Sequence, residues 1–411
     1  MTQTPRRNAF LQVMQHRNYR FYTVGDGVSL IGNWVQRVAL GWLTWQLTKS
    51  GTWLGIVAFA DLFPAIVLSP IGGVIADRGD PKRMSLITQG FAMVQALLLF
   101  VLTWQSLIGI WGVVALSVVR GSIAAINQPA RMSLMPSLIP SEDLSSAIAF
   151  NSVLANMARF IGPAIAGAII VAGGVAGAFA INAASYLLLL YALWAIDIGE
   201  ERPTRHRRAG LWSQIEVGYR YIYDHPGLGP LLLIFSSVTI LVRPVTELLP
   251  GFADTIFGRG AEGLAWMTSS MGFGAMLGGL SMLRRGTTER LVKAAVGSLL
   301  ILSTSIVAFA LIPSFWCGLV LLFAFGFTNT TSGIGTQTLT QSAVDDALRG
   351  RVMSLYGVIF RGGPSFGALI MGALSDHFGL QTPVAVGAAF CFLVSIWALT
   401  RRRSLIAHLS V

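Results

Sequence analysis

Apolar segments of about 20 residues recur along the whole chain, separated by short polar stretches. A helix rises about 1.5 Å per residue, so each segment is long enough to cross the hydrocarbon core of a bilayer. Backbone in lipid must satisfy its own hydrogen bonds, which makes these segments helices. The chain therefore reads as an all-α membrane protein. Spans are expected near 19–46, 51–75, 84–103, 107–128, 145–170, 175–196, 228–250, 263–283, 292–311, 315–338, 352–374 and 383–400, twelve transmembrane helices in all. Charged residues make up only 11% of the chain, against about 25% in soluble domains.

The net charge of +11 could suit nucleic acid, but its distribution follows the loops. With the N-terminus in the cytoplasm, external loops receive only Lys49 and Arg259. Five Arg fall inside spans, and the rest of the 29 Lys and Arg lie on the cytoplasmic side. That is the positive-inside bias, and it places both termini in the cytoplasm with no nucleic-acid partner. The opening stretch, MTQTPRRNAFLQVMQHRNYR, is polar and basic and does not read as a cleavable signal. Cys317 and Cys391 lie in apolar segments without metal-ligand spacing, and the five His fall in loops or near span ends. No metal or cofactor is expected.

The longest cytoplasmic connection divides the chain into an N-terminal six-helix half (1–200), a linker (201–226) and a C-terminal six-helix half (227–411). In the linker, Leu211, Ile215, Tyr219 and Ile222 recur on one helical face, and Glu216 and Arg220 are spaced to pair. Two readings stay open for this helix: it lies on the membrane surface, or it packs on the bundle. The halves echo one another. RFIGPAIAGA (159–168) and IFRGGPSFGA (359–368) align Pro163 with Pro364, each in the fifth span of its half. Internal repeats of this kind are expected of transporters.

The stretch GGVIADRGDPKR (72–83) concentrates charge between spans two and three. It resembles the signature loop of the major facilitator superfamily, with Gly73, Asp77, Arg78 and Lys82 in register. Asp80 and Pro81 replace the usual Gly and basic residue. GPAIAG (162–167) is similar to the antiporter motif of the fifth span, with Arg159, Gly162, Pro163 and Gly167 in place and Ala166 where Gly is common. Arg120-Gly121 resembles the superfamily's arginine motif in span four. ELLPGFAD (247–254) and LRGRVMSLY (348–356) are similar to the siderophore (enterobactin-type) and macrolide exporter subgroup. The resemblance implies a cytoplasmic latch, in which Asp77 meets the start of span eleven with Arg78 and Arg351 nearby. A carboxylate there would also suit the positive end of a helix. The alternative is that Arg78, Lys82 and Arg83 only anchor topology.

Charges inside spans cost at least about 2.5–3.5 kcal/mol on insertion scales, so each calls for a partner or a function. Asp26, Ser29, Asn33, Gln36 and Arg37 form one polar stripe on span one. The stripe lines a cavity or forms a buried packing network, and Asp26 is close enough to the cytoplasmic end for partial hydration. Arg120 could face span one and meet Asp26, Gln36 or an anionic substrate, while Arg159 reads as a structural contact at the interface of the halves. Trp34, with Trp42 and Trp45, could stack on a ligand or belong to the interfacial belt. Asp61 in span two and Arg361 in span eleven lie at similar depth, and the resemblance brings their spans together as an alternating gate or a permanent pair. In span seven, Arg243 and Glu247 are one turn apart between Pro244 and Pro250, which invite a bend. Glu247 is the first candidate for proton coupling, against a static bridge to Arg243. The spans hold five Arg against three clear acids, a balance that favours anionic or chelating ligands.

The function expected is a proton-coupled exporter of small amphipathic molecules such as siderophores or drugs, acting by alternating access as a monomer in a bacterial inner membrane. Its partners would be a small-molecule substrate, the lipid bilayer and protons. An importer or symporter of the same fold, or a membrane receptor or scaffold, are the alternatives. No nucleotide loop or nucleophile motif points to an enzyme.

Overall fold

A computed structural model describes residues 12–197, 211–282 and 288–409. Every element in it is helical. Contacts divide the chain into two compact units, Met1–Leu43 with Phe63–His206, and Thr44–Leu62 with Arg207–Val411. The first unit contains most of α1 (Arg17–Thr48) and part of α2 (Gly51–Arg78), then α3 (Pro81–Trp104) and α4 (Ile110–Leu134). It ends with the 52-residue stretch Leu144–Ala195. Gly174 in that stretch sits at φ 71, a region that glycine enters without strain, and divides it into two rods, α5 (144–173) and α6 (175–195).

The second unit takes the α1–α2 turn and the helices from α7 (Leu211–Asp224) onward. These are α8 (Leu228–Leu241), α9 (Val245–Gly251), α10 (Gly260–Met282), α11 (Thr288–Leu311), α12 (Phe315–Ser342), α13 (Asp346–Phe378), α14 (Gln381–Thr400) and α15 (Arg402–Leu409). Among the described residues, nine helical stretches are long and apolar enough to span a membrane. One of the nine is the pair α5–α6. Helices α1 and α10 are long enough but diluted by the polar stripe and by Gly and Ser, and with them the described residues hold twelve rods of membrane-spanning length.

Three elements differ from the sequence reading. Helix α4 continues past 128 to Leu134 with Pro129 inside it. The proline withholds one N–H from the carbonyl of Ala125, and Gly72 of α2 packs closely against that carbonyl. Span seven is interrupted rather than bent: α8 stops at Leu241, Pro244 precedes α9, and Phe252–Ile256 is π-helical. Arg243 therefore lies in a turn, and the i,i+4 geometry expected for Arg243 and Glu247 is not that of one continuous helix.

The third is α7. An added Cβ on Gly218 would sit about 3.3 Å from the Arg351 backbone, so α7 packs directly on α13. Ile222 joins Leu232, Phe235 and Tyr356 in a core cluster. Tyr219 points outward, 64% exposed and stacked on Tyr223. The helical period was legible, but the buried face is that of Gly218 and Ile222. Arg220 approaches Asp224 at 4.0 Å, while the Glu216 side chain lies outside the described residues.

The departures at 80 and 81 have a local cause. Asp80 is the N-cap of α3, accepting from the Lys82 amide at 2.8 Å, and Pro81 occupies the first turn, where no N–H is needed. Asp80→Ala should cost this helix end about 1 kcal/mol. The check is hydrogen exchange, expected to quicken roughly fivefold at the Lys82 amide and its neighbours.

Candidate functional site

The stripe on α1 meets polar side chains from α3, α4 and α6 around a cavity of about 280 Å³ in the first unit. Asp26, Ser29, Asn33, Trp34 and Arg37 line it from α1, and Arg120, Asn127 and Arg131 from α4. Gln89 of α3 and Tyr186 of α6 close the wall.

Several of these polar groups have defined partners. Arg131 Nη2 donates to Asp26 Oδ2 at 2.6 Å, and its Nε donates to the Tyr22 hydroxyl at 3.1 Å. The Asp26 side chain is only 3% exposed, so it is sealed behind its partner rather than partly hydrated. Tyr186 donates to Asn33 Oδ1 at 2.8 Å, and Asn33 donates to the Ser29 carbonyl at 2.8 Å. Gln36 turns away from the cavity. It donates to Gln95 at 3.0 Å and accepts from Asn182 at 2.6 Å, forming an amide network between α1, α3 and α6. Both readings of the stripe are thus realised, by different members.

The Trp34 ring has the guanidinium of Arg37 5.6 Å from its centroid and that of Arg159 at 5.7 Å. Such contacts are attractive because the ring face is electron-rich. Trp34 is part of the cavity wall, and Trp42 and Trp45 are buried at 6% and 4% exposure. Arg159, expected as a structural contact at the interface of the halves, has its described contact with Trp34 of α1, and its buried Nε has no hydrogen-bond partner among the described residues. Three residues on, Gly162 lies so close to Trp34 that a Cβ would overlap it. Pro163 and Gly167 are also buried in α5. In the second unit Gly363, on the aligned motif, lies equally close to Thr239 of α8. The Gly-Pro motif of each half therefore packs its fifth span against its first.

The other charged candidates sit in the second unit. The Arg243 guanidinium lies 4.6 Å from the Phe360 ring centroid, and Glu247, half-buried at the start of α9, accepts from the Thr246 hydroxyl at 3.3 Å. Asp61 and Arg361 are half-buried on α2 and α13. These helices meet closely, Gly55 against the Ala368 carbonyl and Phe59 edge-on to Phe366 at 5.4 Å. Two further carboxylates hold the α1–α2 turn. Asp254 accepts from Trp45 Nε1 at 2.8 Å and Lys49 Nζ at 2.6 Å, and Asp376 accepts from the Gly51 amide at 2.7 Å and Ser50 Oγ at 2.5 Å.

Of the loop motif, Gly73 ends up half-buried in α2, and Lys82 caps the end of α6 by donating to the carbonyls of Trp194 and Ile196. The Asp77 and Arg78 side chains lie outside the described residues. Arg351 is half-buried beside Gly218.

Sequence reasoning missed Arg131, Tyr22, Gln89, Asn127 and Tyr186. A signal existed on α4. Arg120, Asn127 and Arg131 are spaced i, i+7, i+11, the same stripe periodicity as on α1, but ending the span before Pro129 hid it.

The comparisons with known proteins agree with this architecture. An enterobactin exporter of Shigella boydii is 28% identical over 358 residues, covering 85% of this chain and 80% of that protein. Among solved structures, a bacterial homologue of the lysosomal transporter Spinster superposes with a TM-score of 0.74 at 14% identity, covering 98% of this chain and 99% of that one. A D-xylose–proton symporter superposes with a TM-score of 0.70 at 13% identity, with coverage of 94% and 97%. The description "transmembrane secretion effector" matches residues 10–407. With its twelve helical rods and polar cavity, the chain belongs to the transmembrane secretion effector family of major facilitator transporters.

Proposed function

We propose that the protein is a proton-coupled exporter of small amphipathic molecules, working as a monomer by alternating access in a bacterial inner membrane with both termini cytoplasmic. The observation that carries this reading is the cavity. A wall with three Arg, one Asp and several amides would be costly inside a bilayer unless it served a ligand. The Gly-Pro motif and the likeness to an exporter favour outward transport over import. The proton site is proposed at Glu247, beside the break in span seven, with Asp61 and Arg361 as a gate. Asp77, Arg78 and Arg351 are proposed as the latch.

The test is proton flux in liposomes carrying an interior pH dye under an imposed gradient, challenged with anionic and cationic amphipathic compounds. Compound-dependent flux is expected in the native protein and its loss in Glu247→Gln. Flux that survives this substitution moves the coupling acid to Asp61 or Asp26. Absence of flux with every compound removes the proton-coupled reading. Accumulation inside vesicles of opposite orientation separates export from import.

A further inference from the structure

We propose that the cavity of the first unit receives an anionic group of the substrate, and that Asp26 is the resident counter-anion that competes with it for the charge of Arg131. The inference rests on the reading of this cavity as the transport site. Arg37, Arg120 and Arg131 face it, against Asp26. With all four ionised the wall carries a surplus of two positive charges, in a small space where charges interact far more strongly than in water.

The geometry gives Asp26 and Arg131 unequal positions. Arg131 keeps 27% of its side chain exposed and Asp26 only 3%, so a ligand entering the cavity reaches the guanidinium first. A guanidinium has five N–H donors. The Nη2 bond to Asp26 and the Nε bond to Tyr22 use two of them, so an incoming oxyanion meets further donors already aimed by the pair. Apart from Arg131, the described neighbours of Asp26 bring no opposite charge. Along α1 it has Tyr22 and Tyr19, α5 brings Leu154 against Gly27, and α6 brings Leu189 and Ala192 against Gly25. The carboxylate and an anionic ligand therefore compete for Arg131. The Trp34 ring in the same wall suits a ligand with an aromatic face.

The sign of the Asp26 effect is diagnostic. If Asp26 served to bind a cation, neutralising it would weaken binding. Here neutralising it removes a competitor. Calorimetry on the purified full-length protein would compare naphthalene-2-sulfonate, its neutral sulfonamide and 2-naphthylmethylammonium. The sulfonate should bind about tenfold tighter than the amine. Asp26→Asn should tighten the sulfonate by about tenfold. Arg120→Gln should weaken the sulfonate about tenfold and leave the sulfonamide unchanged, which keeps a test available if Asp26→Asn folds poorly. Preference for the amine, no binding of any of the three, or an Arg120→Gln protein that holds the sulfonate as well as the native one overturns the proposal.

The liposome assay separates the two readings. Proton flux driven by amines leaves the exporter standing without the anion site. Sulfonate binding without compound-dependent flux leaves the anion site standing without the proton-coupled exporter.

Discussion

Arg131→Leu is expected to leave the protein about 3–5 kcal/mol less stable, because it strands a buried carboxylate. Asp26 is 3% exposed, and its charge is held by Arg131 Nη2 at 2.6 Å. The same substitution releases the Tyr22 hydroxyl from Arg131 Nε. Replacing both members by apolar residues removes the desolvated charge along with its partner, and such exchanges are often neutral. Thermal melting of the detergent-purified variants should therefore show a large drop for Arg131→Leu and most of it restored in Asp26→Leu/Arg131→Leu. A single variant that melts with the native protein would mean the pair contributes nothing. Asp26→Asn should cost less than Arg131→Leu, since the guanidinium it strands still opens onto the cavity. The double variant keeps Arg37 and Arg120 in the wall but lacks the Arg131 donors, so it should bind the sulfonate more weakly than the native protein, which separates restored stability from restored function.

Gly274→Leu should prevent the second unit from folding. Helices α10 and α12 approach so closely that a Cβ on Gly274 would overlap the Phe323 carbonyl, one on Gly278 the Phe327 carbonyl, and one on Gly326 the Met271 carbonyl. Gly274 and Gly278 form a G-x-x-x-G, the small-residue spacing by which membrane helices bring their backbones together. Overpacking a side-chain site costs about 1–3 kcal/mol. Here the obstacle is backbone, which has no rotamer to move aside, so the helices must separate. The expected outcome is loss of the monodisperse peak in size-exclusion chromatography. Gly297→Leu on α11, where a Cβ meets nothing within 4 Å, should leave that peak intact. Equal yields from the two variants would refute the packing argument.

Much of the architecture was readable before any contact was known. Hydropathy placed most of the rods, because the length and apolarity a bilayer demands are properties of each segment alone, while α1 and α10 are less apolar than the others. The alignment of Pro163 with Pro364 pointed to positions that do the same job in each half, holding the fifth span against the first. The stripe on α1 was legible because a single helix fixes which of its residues share a face.

What escaped were matters of partner. The stripe did not say that Gln36 faces Gln95 and Asn182 while Asn33 faces the cavity, since a few tens of degrees of helix rotation decide this. Arg120 was a candidate neighbour of Asp26, and Arg131 is the residue that holds it, because α4 runs on through Pro129. A proline costs one hydrogen bond, and neighbouring helices can make that tolerable. Trp34, Trp42 and Trp45 could have been ligand-stacking or interfacial residues from their place in the span, and only the fold puts Trp34 on the cavity wall and buries Trp42 and Trp45. Span seven announced a bend through its prolines, but the full break before α9 and the π-helical turn after it required the packed neighbours. Periodicity and hydropathy are local and so belong to the chain, whereas the Asp26–Arg131 pair, the amide network and the charge of the cavity exist only once particular helix faces have met.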